Sequence, residues 1–261
     1  MQTTTRKNAP ALLWIGALFV LFTSVALFSI LASPPRPASA HASETYGPAC
    51  GSANMDGVIE ADEWSSAITQ TFQMTPGGSA DPLTATLYVM NGGYYLYIGV
   101  TINDDEFTPT GQYLPWGDGF RIDFDNDHSG SLFALYDDVL DINAGLPQFN
   151  DRHLYGGSVP SSSGLDVDYG GTSDGSGAAS RVSNLNHFEL RHPLCSGDAL
   201  DFCLHPGDVI GFRIEYMDAE GDGSFGGSQF YPGTEDTSTA DIVIGACTVA
   251  DFRVYLSLIQ K

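Results

Sequence analysis

Positive charge is what this sequence lacks most. Its 261 residues hold ten Lys and Arg against 32 Asp and Glu. Arg6, Lys7 and Arg36 lie within the first forty residues, so seven bases face 32 acids in the remainder, a formal charge of −25. A surface of that sign repels phosphate backbones, which excludes a nucleic-acid partner, and it draws multivalent cations. Cysteine is scarce too, with four residues at Cys50, Cys195, Cys203 and Cys247. None forms a C-x-x-C pair, which argues against zinc, and an even count in an exported chain points to two disulfides. Three pairings are possible. Cys195 and Cys203 bracket the short loop "CSGDALDFC", and Cys50 and Cys247 flank the folded region, which favours pairing each with the other. Helix signals are poor, and no H-E-x-x-H metalloprotease helix occurs. Apolar content is not lacking: 43% hydrophobic residues, with 12 Tyr and 15 Phe, exclude a disordered acidic chain.

Residues 1–40 do not read as part of a folded domain. Arg6 and Lys7 precede an apolar run from Ala11 to Ala32, and "SPPRPASA" then ends in Ala38, Ser39 and Ala40. That order is the secretory-signal pattern, with cleavage after Ala40. The apolar run is also long enough to remain as an anchor, since a span needs ~20 residues. Membrane contact is expected only through this segment, if it stays uncut. Either way the rest is placed outside the cytoplasm, secreted or on the outer face of the cell. Residues 41–250 are expected to form one β domain, and 251–261 a tail or edge strand.

Strand patterns fill that domain. "LTATLYVM" (83–90) and "YYLYIGVTI" (94–102) flank an Asn-Gly-Gly turn, a hairpin signature. "GFRIDFD" (119–125) alternates strictly, and "SLFALYDDVLDI", "LDVDY", "HFELRHPL", "DVIGFRIEYM" and "ADIVIG" follow. Residues 170–180, "GGTSDGSGAAS", read as a loop. Many short strands joined by Gly, Ser, Asp and Pro loops predict an all-β protein, an antiparallel β-sandwich of jelly-roll or Ig-like type.

Two acidic stretches carry chemistry. From Asp125, "DNDHSGS" places oxygens at relative positions 1, 3 and 5, Gly at 6 and Ser131 at 7. This is the front half of a calcium loop, whose alternate side chains turn inward around a hard cation. Candidate ligands are Asp125, Asp127, Ser129 and Ser131, with Asp123, Asp137 or Asp138 closing the shell. The competing reading is an acidic turn made of ordinary turn residues. A second loop, "DAEGDGSF", repeats the spacing with Asp218, Glu220 and Asp222. Calcium is the expected cofactor.

"MDGVIEADEW", "ATLYVMNGGYYLYIGVTINDDEF" and "GDGFRIDFDND", over residues 54–127, resemble the family-nine carbohydrate-binding modules and related DOMON-type sandwiches. The resemblance implies a β-sandwich, structural calcium and, in some members, a sugar groove on extracellular proteins. Flat aromatic rings beside polar groups would serve a sugar, and the candidates are Tyr113, Trp116, Phe225 and Tyr231. Some DOMON relatives hold haem through Met and His, but Met90, Met217, His187 and His192 lie on strand patterns better suited to a core. The expected function is therefore a calcium-stabilised binding module for carbohydrate or a cell-surface glycan. The alternatives are a non-catalytic adhesion domain and an extracellular glycan hydrolase; no catalytic residue is assigned.

Overall fold

The computed structural model describes residues 44–110, 117–132, 134–155, 163–234 and 238–247. The signal-like segment, the 251–261 tail, Tyr113 and Trp116 lie outside them. Among the described residues the strands are β1 (Thr45–Tyr46), β2 (Ile68–Gln73), β3 (Thr75–Pro76), β4 (Thr84–Asn91), β5 (Tyr95–Ile102), β6 (Gly119–Asp125), β7 (Asp138–Asn143), β8 (Phe149–Leu154), β9 (Ser163–Leu165), β10 (Ser176–Val182), β11 (Leu185–Pro193), β12 (Val209–Ala219), β13 (Phe225–Tyr231) and β14 (Ala240–Val243). A 3-10 turn, Asp166–Asp168, follows β9.

Two sheets face each other. One is nine-stranded, ordered β1-β14-β12-β6-β7-β8-β9, with β13 and β3 branching from β12; the other is five-stranded, β10-β11-β5-β4-β2. All pairs are antiparallel except β1 with β14, which run parallel. Period-two alternation explains the layering, because successive side chains point to opposite sheet faces. Phe120, Ile122 and Phe124 of β6 and Ile210, Phe212, Ile214 and Tyr216 of β12 meet Leu87, Val89, Ile98, Val100 and Phe188 of the other sheet in one buried core. The outer face of the five-stranded sheet is covered as well. Residues 49–67 lay Trp64 over Met90 and Tyr97, and the Trp64 indole N–H donates to buried Glu189 at 2.8 Å.

The sandwich and the β4–β5 hairpin are as expected, and β6 has its predicted limits. Three stretches differ. Strand β7 begins only at Asp138, and residues 134–137 before it turn, with Tyr136 at φ 71°. "LDVDY" becomes the end of β9 and the 3-10 turn. Half of the supposed loop 170–180 is strand β10. Both disulfides have the favoured pairing: Cys50–Cys247 and Cys195–Cys203, with Cα separations of 5.4 and 4.1 Å.

Candidate functional site

The hairpin loop after β6 uses its carboxylates locally. Asp125 is buried, and its oxygens accept from the Ser129 amide at 2.9 Å and the Gly130 amide at 2.7 Å. Asp137 accepts from the Asn126 amide at 3.2 Å and the Ala134 amide at 2.7 Å. Asp123 lies between two arginines, Arg121 Nε at 2.7 Å and Arg213 at 3.1 Å. Asp127, Ser129 and Ser131 are exposed. Asp138 points elsewhere, into a buried cluster with His192 and Asp201. Among the described residues no three of these carboxylates bring oxygens within 4.8 Å of one another, and amides and guanidinium groups bind several of their oxygens.

The second acidic loop has a different outcome. Asp218, at the end of β12, meets Asp104 from the end of β5 and Asp118 from just before β6, with one oxygen of each within 4.8 Å of the others. Asp104 and Asp118 are buried. Three elements hold them in place. Arg181 donates to the carbonyls of Asp104, Asp105 and Glu106, which shapes that loop from behind. The Tyr216 hydroxyl and the Asn186 amide donate to Asp104. The Thr108 and Ala219 amides, each at 2.8 Å, hold Asp118. Burial pushes the Asp118 carboxyl up to about 7, against the pull of those amides. Asp218 also rises to about 7, through burial and then the charges of Asp104 and Glu220. Glu220 is only half-buried, and Asp222 is exposed and caps the Ser224 amide. The donors that converge are all oxygens, the set calcium takes. Of the predicted residues here the structure groups Asp218 alone; Asp104 and Asp118 were visible in sequence only as "NDDEF" and "WGDGF".

The aromatic candidates divide. Tyr231 is buried at 4% exposure, its ring stacked on Phe72 at 3.7 Å and its hydroxyl bonded to Tyr46, so it belongs to the core and not to a ligand surface. Phe225 is exposed at the start of β13. Three tyrosines that sequence reasoning missed do form a surface. Tyr136, Tyr155 and Tyr169 are 51%, 44% and 53% exposed and gather around buried His153. Tyr155 and Tyr169 stack with centroids 5.1 Å apart and planes 18° from parallel. Gly164 makes this possible, since a Cβ there would sit 2.3 Å from the Tyr169 ring and 3.1 Å from that of Tyr155. His153 accepts or donates at Nδ1 to Asp166 at 2.7 Å, which fixes the ring beneath the tyrosines. The signal in sequence was weak: each tyrosine borders a polar loop.

Solved structures share this architecture. A family 9 carbohydrate-binding module from Caldicellulosiruptor kristjanssonii in complex with cellotriose aligns over 79% of this chain and 96% of its own, with TM-score 0.57 and 13% identity. The same type of module from that organism in complex with glucose covers 79% and 98%, with TM-score 0.55 and 14% identity. The fold is that of the family 9 carbohydrate-binding modules. No protein-family model and no curated protein matches the sequence.

On this module fold no catalytic constellation stands out among the described residues. "GTSDG" (171–175) has nucleophile-elbow spacing, yet Ser173 lies on an irregular stretch leading into a strand rather than a helix. Without the strand-to-helix turn the spacing carries no hydrolase mechanism.

Proposed function

We propose that the protein is an exported, non-catalytic carbohydrate-binding module that takes its ligand on Tyr136, Tyr155 and Tyr169. The observation that carries this reading is the exposed, stacked pair Tyr155 and Tyr169 on a family 9 module fold. Sugars offer flat C–H faces to such rings, and hydroxyls rim them with hydrogen-bond donors. The two disulfides fit an oxidising compartment and hence export. Titration calorimetry with cellotriose, glucose and a panel of other oligosaccharides tests the proposal. Tyr169→Ala should weaken binding about tenfold, on the scale of one lost ring contact, while the melting point changes little. Unchanged affinity in that variant would remove the tyrosine surface from the reading. Failure of every glycan in the panel would favour the adhesion alternative.

Calcium is proposed at Asp104, Asp118 and Asp218, where it would neutralise facing carboxylates and tie β5, β6 and β12 together. A ligand at about one hundred times its Kd stabilises by about 2.7 kcal/mol. For a domain of this size that corresponds to about 5–10 °C in melting temperature. Adding chelator should remove this margin from the wild type and not from Asp218→Asn. The Asp125→Ala and Asp127→Ala double variant should keep its sensitivity to chelator; loss there would return the ion to the hairpin loop.

A further inference from the structure

At the other end of the sandwich, His192 of β11 reaches across from the five-stranded sheet toward carboxylates of the nine-stranded one. Asp138 opens β7, Asp151 lies on β8, and Asp201 comes from the loop closed by the Cys195–Cys203 disulfide. One oxygen each of Asp138 and Asp201 and a ring nitrogen of His192 lie within 4.8 Å of one another. His192 Nε2 is 3.5 Å from Asp201 Oδ2 and 3.6 Å from Asp151 Oδ2, and all three side chains are 0% exposed. Asp138 is fully buried as well.

Several polar atoms aimed into this space lack a hydrogen bond of good geometry, and His192 is held to Asp151 and Asp201 only by long ion-pair contacts. Both oxygens of Asp138, both of Asp201, Oδ1 of Asp151 and Nε2 of His192 have no partner at hydrogen-bonding geometry. Elsewhere the same groups are tied down: the Asp174 amide donates to Asp151 at 2.7 Å, and His192 Nδ1 bonds the Pro193 carbonyl at 2.9 Å. A carbonyl only accepts, so Nδ1 carries a hydrogen. Although burial works against it, the facing carboxylates of Asp151, Asp201 and Asp138 favour a second proton on Nε2, the position a metal ion would take in its place. With that proton displaced, the ring would have the tautomer, with its backbone anchor, that metal-bound histidines adopt. Arginine supplies no compensation here: Arg121 and Arg213 bind Asp123, and Arg152 binds Asp141.

We infer that Asp138, Asp201 and His192, with Asp151 beside them, form a buried site for a divalent cation of the zinc or manganese class, distinct from the oxygen-only cluster at Asp104. One imidazole nitrogen among carboxylates suits these metals, whereas calcium takes oxygens alone. The spacing agrees, since metal–ligand bonds of about 2.0–2.2 Å place tetrahedral neighbours about 3.4 Å apart. The ion would join the two sheets and the short disulfide loop at one point.

The test uses the intact protein, stripped with chelator and then dialysed separately against zinc, manganese or calcium chloride, with metal content read by mass spectrometry. Wild type should retain one equivalent of zinc or manganese, and cobalt substitution should give visible ligand-field bands that reveal nitrogen ligation. Asp138→Asn keeps the shape while removing a buried charge. It should bind the ion at least about 100-fold more weakly, and its metal-free form should melt higher than metal-free wild type. Asp218→Asn should keep the equivalent. The proposal is overturned if wild type retains no zinc or manganese, if calcium alone fills the site, or if Asp138→Asn keeps the full equivalent. If that variant does not fold, the cobalt spectrum of the wild type decides alone, and a spectrum lacking nitrogen ligation sinks the site.

Discussion

At the scale of single residues, the fold places its few cations with care. Asp123 and Arg213 are a buried pair with Arg121 completing it, and removing one partner of such a pair costs about 3–5 kcal/mol. Asp123→Ala should therefore lower stability by that amount in denaturant titration, with or without calcium. A loss seen only in the presence of calcium would mean that Asp123 is an ion ligand after all. Sequence alternation in "GFRIDFD" placed Asp123 opposite the core face, but it did not say what met it there. Arg213 sits ninety residues away, and only the β6–β12 register brings the two side by side. Aromatic roles were equally hidden. Tyr231 and Tyr169 each stand beside turn residues, yet one stacks inside the core and the other stands in solvent.

At the scale of elements, alternation and turn chemistry were enough for the strands that are apolar on one face. β10 escaped because its packing demands a loop-like sequence. A Cβ at Gly177 would lie 2.1 Å from the Ile142 side chain, so the approach of this edge strand to β7 admits no larger residue. The disulfides could be paired from their positions, and their loop lengths rank their effects. The Cys50–Cys247 bridge closes a separation of 197 residues, the Cys195–Cys203 bridge one of 8. In the chain-entropy account these constrain the unfolded state by about 5 and about 2.5 kcal/mol. Removing the long-range bridge with paired Ala substitutions should lower the melting temperature more than removing the short one. The reverse order would show that the short bridge acts on the native state, by fixing the loop that carries Asp201.

At the scale of the whole molecule, the acids exceed what the arginines can neutralise. Buried carboxylates gather in groups at the two ends of the sandwich, about 20 Å apart along β6 at 3.3 Å per residue. No sequence reading could find these clusters, because each is assembled from strand ends far apart in the chain. Their pH behaviour follows from burial. In the first cluster Asp118 and Asp218 are pushed up to about 7, by burial first. Outside the clusters Asp137 and Glu189 rise to about 7 for the same reason, although backbone amides and, at Glu189, the Trp64 indole pull the other way. With the folded values above the unfolded ones, the native state binds more protons than the unfolded state between about pH 4 and 7. Stability then falls as pH rises through that window. Metal-free protein should accordingly melt higher at pH 5.5 than at pH 7.5, against the common acid-denaturation trend. Calcium competes with protons for Asp118 and Asp218, so saturating calcium should raise the pH 7.5 value most and flatten the profile. A metal-free melting temperature that instead rises steadily toward pH 7.5 would mean that the amides holding these buried carboxylates outweigh their burial, and that the clusters stand ionised without a cation.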